Sequence, residues 1–294
     1  MTSSTPSRPS GRPPRRPSPR QAAMRRRRRS RIVAGGAVAA VVAIVVVLVA
    51  VKVLSGSGTP ATADTFPTGP APTQVVSAVT TMPVSQQAAA AKATKTVAPT
   101  PINGPPLTAD GRPEVLYIGA EFCPFCAAER WALVSALSHF GTWSGLEITH
   151  SSSTDVYPNT PTLSFAHATF TSNYLTFRSV EETTNQKCQV GTAGCAGNGY
   201  GKLQDPTAAE QQLLDTYDQQ GSIPFIDFGG RAVLIGSSYD PQTLAGQNPA
   251  TVAERLGQPT TADAQQIGAA AATITATLCR LTGGQPASVC AAVR

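Results

Sequence analysis

The residues of this sequence best suited to chemistry are two cysteines that lie two positions apart. They are Cys123 and Cys126, in a Cys-Pro-Phe-Cys segment that follows a short apolar run ending at Gly119. If a helix begins at Cys123, its unpaired N–H groups and partial positive charge favour thiolate over thiol. Two cysteines within one helical turn can also close a tight disulfide that reopens easily. The pattern therefore predicts a thiol–disulfide exchange site.

A Cys-x-x-Cys pair has two other common uses in proteins. A structural zinc site needs four ligands, but the chain has no second Cys-x-x-Cys and its histidines are scattered, at His139, His150 and His167. We therefore expect no metal, and we expect no other cofactor. A permanently closed structural disulfide stays open as an alternative, although so short a ring gains little loop entropy.

The elements that must position the two cysteines can be predicted from the apolar pattern around them. Residues 114–119 form an apolar, β-prone run that predicts a buried strand. A helix is predicted over 123–140, with Gly141 ending it. We expect a second strand over 146–151, parallel to the first, and a half-exposed strand over 172–180.

A second informative stretch lies over residues 221–236. Two apolar strands flank Gly229 and Gly230, which is a signal for a two-residue hairpin turn. Pro224 lies at the entrance of the first of these strands, where a missing N–H donor is tolerated. An amphipathic helix is predicted before this stretch, over 208–219, and an Ala-rich helix after it, over 263–281.

The remaining four cysteines suggest structural disulfides. Proximity pairs Cys188 with Cys195 and Cys279 with Cys290, although spacing alone leaves the crossed pairings open. Stable disulfides persist in oxidising compartments. The cysteine count therefore favours a location outside the cytoplasm.

The start of the chain predicts a membrane anchor. Residues 1–31 contain 11 arginines and no acidic residue, so we expect a disordered, basic, cytoplasmic tail. The next twenty residues, 32–51, carry no charge and would span about 30 Å as a helix, so a transmembrane helix is predicted over 32–54. Anionic lipid accounts for the arginines, and we expect no nucleic-acid partner. A cleaved signal peptide is the alternative, although no Ala-x-Ala site follows the apolar run.

The chain beyond the basic tail divides into a linker and a domain. From residue 32 onward the sequence has 12 basic and 17 acidic residues, so it needs no polyanionic partner. Residues 55–112 are rich in Thr, Ala, Pro and Ser and predict an unfolded linker. The folded domain is expected over 113–294. It would lie outside a cell membrane that a single helix crosses.

The order of these elements resembles the thioredoxin-like superfamily, including its DsbA-like branch. Two separated motifs carry the resemblance: the Cys-x-x-Cys, and the segment formed by Ile223, Pro224 and Phe225. The resemblance covers about residues 113–260. It implies an α/β thioredoxin-like fold with an insertion between the second strand and the strand of Pro224, followed by a C-terminal helical extension. It also implies a cis Ile223–Pro224 bond beside the active-site sulfur and the bound substrate.

A closer resemblance is carried by residues 121–131, with the serines at 151–153. These residues resemble a bacterial membrane-anchored family, domain-of-unknown-function family 929. That resemblance implies no substrate.

The expected function is thiol–disulfide exchange with exported proteins. Cys123 would attack a substrate sulfur and Cys126 would resolve the mixed disulfide. By the resemblance, Pro124, Phe125, Ile223 and Pro224 would contact the substrate. The Pro-Phe pair differs from the Gly-Pro of reducing thioredoxins and lacks the histidine of DsbA, which suggests an intermediate potential and leaves the direction of electron flow open. A membrane redox partner is expected by analogy alone. The alternative function is a non-catalytic binding or scaffold module of the cell envelope.

Overall fold

The structure is a computed structural model, and it describes residues 66–293. The predicted basic tail over 1–31, the predicted membrane helix over 32–54 and the first part of the predicted linker, 55–65, lie outside the described residues. Within 66–293, no helix is both long enough and apolar enough to cross a membrane.

The described residues form a mixture of helices and short strands, which confirms the predicted α/β class. The seven α-helices are α1 Thr73–Thr80, α2 Val84–Ala93, α3 Pro124–Leu137, α4 Ala208–Tyr217, α5 Pro249–Leu256, α6 Ala262–Leu281 and α7 Ala287–Cys290. The strands are β1 Gly69–Pro70, β2 Thr100–Pro101, β3 Thr108–Ala109, β4 Arg112–Gly119, β5 Gly141–Ser144, β6 Glu147–His150, β7 Pro161–Ser164, β8 Thr169–Ser172, β9 Thr176–Glu181, β10 Thr183–Lys187, β11 Tyr200–Lys202, β12 Phe225–Phe228 and β13 Ala232–Ile235.

The central sheet is built around β4. It has the order β2-β13-β12-β4-β3, and β9 also pairs with β4. The β4 and β9 strands are parallel, β12 is antiparallel to β4, and β13 is antiparallel to β12. The hairpin predicted around Gly229 and Gly230 is therefore confirmed, but its loop has three residues rather than the expected two, because Phe228 pairs with Ala232 and Arg231 also lies in the loop.

Both faces of the central sheet are covered, which explains the continuous apolar run in β4. Alternate residues of a strand point to opposite faces. Val115 and Tyr117 belong to the larger core cluster, with residues of α3, α5 and α6. Leu116 and Ile118 belong to a smaller cluster with Leu214 of α4. The strand that leads to the cysteines is thus fixed on both sides.

The prediction that residues 146–151 form a strand parallel to β4 is correct about the strand but wrong about its neighbours. Its counterpart β6 pairs antiparallel with β7 and with β1. The parallel neighbour of β4 is β9, which the sequence predicts only as a half-exposed strand. The alternation of Leu146 and Ile148 with polar residues specifies which face is buried but not which strand lies beside it.

The position of the insertion is corrected as a result. Most of the additional chain, residues 138–175 with β5 to β8, lies between α3 and β9 rather than between the second parallel strand and the strand of Pro224. Only the β10–β11 hairpin occupies the predicted position. Aromatic residues that are distant in the sequence pack together in this additional chain. Trp143 stacks on Phe165, with centroids 5.4 Å apart, and it also contacts Phe170 and Phe177.

The linker predicted over 55–112 is also corrected, because residues 66–112 are folded. In this segment Val75 and Val79 of α1 are fully buried. Gln87 of α2 is buried too, and it donates to Ser135 Oγ at 3.0 Å and accepts from Thr275 Oγ1 at 3.3 Å. The small residues that make this segment look like a linker allow close packing on α6, where a Cβ at Gly268 would lie 3.1 Å from that of Ala90.

We predict that a fragment starting at residue 113 is much less stable than one starting at residue 66. Removing α1 and α2 exposes the apolar surface of α3 and α6 and removes the hydrogen-bond partners of two buried groups. Each buried valine contributes about 1.5–3 kcal/mol, so the shorter fragment should lose about 5 kcal/mol in free energy of unfolding. Denaturant unfolding followed by circular dichroism measures the difference. Equal unfolding midpoints for the two fragments would show that residues 66–112 are a linker after all.

Candidate dithiol site

The first cysteine caps the helix that carries the site. Cys123 is the N-cap residue of α3, with φ −78° and ψ 122°, and its Sγ accepts a hydrogen bond from the Cys126 N–H at 3.4 Å. Pro124 takes the first helical position, where its fixed φ is suitable and its missing N–H is not needed. Both thiols are free. The predicted helix start at Cys123 is confirmed.

The two thiols differ in access to solvent. Cys123 is 5% exposed and Cys126 is fully buried, so Cys123 is the one that a partner can approach. The end of β4 lies against the buried thiol. A Cβ at Gly119 would overlap the Tyr117 hydroxyl and come within 3.0 Å of Cys126 Sγ. Only glycine leaves room for the second cysteine here.

The two thiols also differ in acidity. The pKa of Cys123 is lowered, chiefly by the hydrogen bond from the Cys126 thiol, with further contributions from the Cys126 N–H and the Arg130 charge that outweigh the effect of burial. The pKa of Cys126 is raised well above its usual value by burial, by the hydrogen bond it gives to Cys123 and by the negative charge there. The more acidic thiol is therefore the partly accessible Cys123, and the less acidic one is the fully buried Cys126.

A buried ion pair lies beneath the thiols. Arg130 of α3 donates to both carboxylate oxygens of Glu181 at the end of β9, with Nε–Oε1 at 2.8 Å and Nη2–Oε2 at 2.6 Å. Both side chains are fully buried, and the guanidinium carbon lies 5.6 Å from the centre of the Tyr117 ring. Burial alone would lower the pKa of Arg130, but the Glu181 carboxylate raises it, so the guanidinium stays charged.

The sequence does not predict this ion pair. The available signal was a run of two charged residues, Glu129 and Arg130, inside an otherwise apolar helix. Glu129 faces away from the thiols toward Ser238, whose N–H and hydroxyl lie 2.6 Å and 3.0 Å from its carboxylate oxygens. It has no cationic partner there, and burial raises its pKa to about 8.

The predicted proline motif lies beside Cys123. The Ile223–Pro224 peptide bond is cis, which confirms the prediction, and the Ile223 carbonyl accepts from Cys123 Sγ at 3.7 Å. Of the four predicted substrate-contact residues, Phe125 is 37% exposed and Ile223 is half-buried. Pro124 and Pro224 are both buried. The structure thus brings the two motifs together and leaves two of the four residues open to a partner.

The other four cysteines form the two disulfides expected from proximity. Cys188 is bonded to Cys195, in the turn between β10 and β11, and Cys279 is bonded to Cys290, which joins α6 to α7. In the described part of the chain, no three His, Cys, Asp or Glu side chains gather closely enough to hold a metal ion.

The fold and the site together define an α/β protein with a free dithiol at the start of a buried helix. The chain belongs to the family described as a domain of unknown function, DUF929, whose profile matches residues 99–280. This confirms the resemblance to that family, and the match includes the dithiol, the ion pair and the strand of Pro224. No curated protein and no solved structure matches the chain.

We predict that Cys123 reacts with iodoacetamide faster than Cys126 and that its pH midpoint lies below that of an ordinary thiol. Replacing the hydrogen-bond donor in Cys126→Ala should move this midpoint upward, because the thiolate loses its main stabilising contact. Alkylation of the full-length chain at a series of pH values, read by mass spectrometry, gives both quantities. Faster labelling of Cys126, or an unchanged midpoint in the variant, would contradict the assigned asymmetry.

We also predict strong coupling between Arg130 and Glu181. Arg130→Met and Glu181→Met should each cost about 3–5 kcal/mol in free energy of unfolding, since each leaves one buried charge without a partner. The double variant should cost clearly less than the sum of the two. In the double variant the alkylation midpoint of Cys123 should rise, because the nearby positive charge is gone. Additive costs in denaturant unfolding would show that the pair is not coupled.

Proposed function

We propose that this protein is a thiol–disulfide oxidoreductase with a thioredoxin-like fold. The observation that carries the proposal is the pair of free thiols at the start of α3, with a lowered pKa at Cys123 and a raised pKa at Cys126. The strand arrangement supports it: β4 leads to the dithiol helix, β9 runs parallel to β4, and β12 and β13 follow antiparallel after Pro224. This order of elements resembles the thioredoxin-like superfamily.

The two thiols have separate roles in the proposed reaction. The Cys123 thiolate attacks one sulfur of a substrate disulfide, so a Cys123–substrate disulfide forms and the other substrate sulfur leaves as a thiolate that takes up a proton. The Cys126 thiol then loses its proton to solvent and attacks Cys123 Sγ. The second substrate thiolate leaves, and two electrons have passed from the protein to the substrate. In the reverse direction the Cys123–Cys126 disulfide oxidises a substrate dithiol.

The surroundings of Cys126 favour the second step only after the first has taken place. Before attack, the charge on Cys123 and the hydrogen bond to it help to raise the pKa of Cys126. Both effects end when Cys123 enters the mixed disulfide. The charge of Arg130, which lowers the pKa of Cys126, is still present. The buried thiol thus becomes more acidic at the stage where it must act as a nucleophile.

The proposed substrates are exported proteins that carry thiols or disulfides. The proposal includes a single membrane helix with the folded domain on the extracytoplasmic side, supported by the uncharged run 32–51 next to the arginine-rich residues 1–31. A membrane-bound redox partner would reset the dithiol. The alternative, a binding module whose cysteines never turn over, is favoured by one observation: Cys123 is only 5% exposed and Cys126 is fully buried.

The deciding measurement is the reduction potential of the Cys123–Cys126 pair, obtained by equilibrating the protein in glutathione buffers. We expect about −120 to −230 mV, the range of exchange catalysts. The variant with Cys123→Ser and Cys126→Ser is the matched control, because it keeps the other two disulfides and reports their reduction alone. A potential below about −300 mV, or a pair that glutathione does not open, would favour the binding module.

A further inference from the structure

The β10–β11 hairpin brings an aromatic ring to the residue next to the nucleophile. The ring of Tyr200 in β11 stacks on that of Phe122, with centroids 4.5 Å apart and an angle of 7° between planes. Phe122 directly precedes Cys123. Both rings are half-buried, so part of each is open to a partner bound at the sulfur.

Tyr200 is held at both ends. Its hydroxyl donates to Ser152 Oγ at 2.8 Å, and the Ser152 N–H donates to the Phe122 carbonyl at 2.8 Å. The Tyr200 carbonyl accepts from the N–H of Ala196 at 2.9 Å, and Ala196 directly follows Cys195 of the Cys188–Cys195 disulfide. Asn185 of β10 fastens the other strand, with Nδ2 donating to the His150 carbonyl at 2.8 Å. The ring is therefore preorganised rather than free to turn away.

A second aromatic pair lies on the other side of Cys123 in the sequence. Phe125 meets Tyr157 edge to face, with centroids 5.8 Å apart, and Phe125 is among the most exposed large apolar residues of the described chain. In the sequence, the nucleophile is thus flanked by one residue of each pair, Phe122 before it and Phe125 two positions after it. Aromatic faces of this kind favour apolar side chains over water.

We propose that Tyr200 is a specificity-determining residue and that, with Phe122, it selects polypeptides that carry an aromatic or large aliphatic residue next to the reacting cysteine. The inference rests on the proposed function. The partner is an extended polypeptide segment, because a small disulfide has no side chain to place against the rings. The hairpin disulfide contributes indirectly, since it fixes Cys195, the neighbour of the Ala196 that bonds the Tyr200 backbone.

The test uses the full-length chain with its dithiol reduced and two probes, the oxidised dimers of the tripeptides Phe-Cys-Phe and Gly-Cys-Gly. Each reaction converts one peptide dimer into two peptide thiols and leaves the protein with a Cys123–Cys126 disulfide. Single-turnover rate constants come from rapid alkylation and mass spectrometry. We expect the phenylalanine dimer to react about tenfold faster or more, the discrimination that one apolar contact provides.

The decisive variant is Tyr200→Ala, in which the rate ratio between the two dimers should fall at least fivefold, with most of the loss on the phenylalanine dimer. Tyr200→Phe keeps the stacked ring and the backbone bond to Ala196 but loses the hydroxyl bond to Ser152, so it should keep most of the ratio. Tyr174→Ala, at an exposed tyrosine away from these rings, is the matched control. The variant with Cys188→Ser and Cys195→Ser should lower the ratio in the same direction as Tyr200→Ala.

The outcomes separate this inference from the proposal on which it rests. If the wild-type chain reacts with neither dimer, the proposed oxidoreductase function itself fails. If it reacts with both at equal rates, or if Tyr200→Ala slows both reactions by the same factor, exchange occurs but Tyr200 has a packing role only. Unfolding midpoints of all variants show whether a loss of rate reflects a loss of folding.

Discussion

A bidentate ion pair between Arg130 and Glu181 holds the dithiol helix against the central sheet. Removing two charges from water is costly, and it is offset only where geometry is good and the hydrogen bonds are satisfied. Here two short bonds join α3 to the end of β9 and the Tyr117 ring covers the guanidinium, while Arg130 Nη1 is left without a hydrogen-bond partner among the described residues. The helix can therefore take only a narrow range of positions relative to β4 and β9. The positions of the thiols at its N-terminus are restricted in the same way.

The same ion pair links the fold to the chemistry. Arg130 lies seven residues after Cys123, two turns along the helix, and its positive charge lowers the pKa of both cysteines. A helix N-terminus gives a modest preference for thiolate, and a buried cation strengthens it because screening by water is weak there. A neutral pair of similar volume could fill the same space, but it would lack the two short bonds and would not contribute to the acidity of the thiols. The roles in positioning the helix and in acidifying the thiols together explain why Arg130 and Glu181 are charged residues in an otherwise apolar core.

The features that were predictable from the sequence are those that depend on near neighbours. Proline after Cys123, the apolar run before it and the Gly229–Gly230 turn each specify local geometry, and the helix start and hairpin follow from them. The partner of β4, the fold of residues 66–112 and the Arg130–Glu181 pair depend on contacts between distant segments; the last joins residues 51 apart in sequence. Small residues such as Ala90 and Gly268 are common both in flexible linkers and in close helix contacts. The sequence alone therefore does not distinguish a linker from a packed helix.

Glu129 gives the domain an additional property. Its carboxyl group is fully buried and has a pKa of about 8, against 4.5 when exposed. Between these two values the folded chain keeps a proton that the unfolded chain releases, so folding at neutral pH takes up a proton from the medium. The contribution of this group is greatest below about pH 4.5 and declines as the pH rises toward 8. Acidification would therefore increase the contribution that this one group makes to stability, in the same helix that carries the thiols.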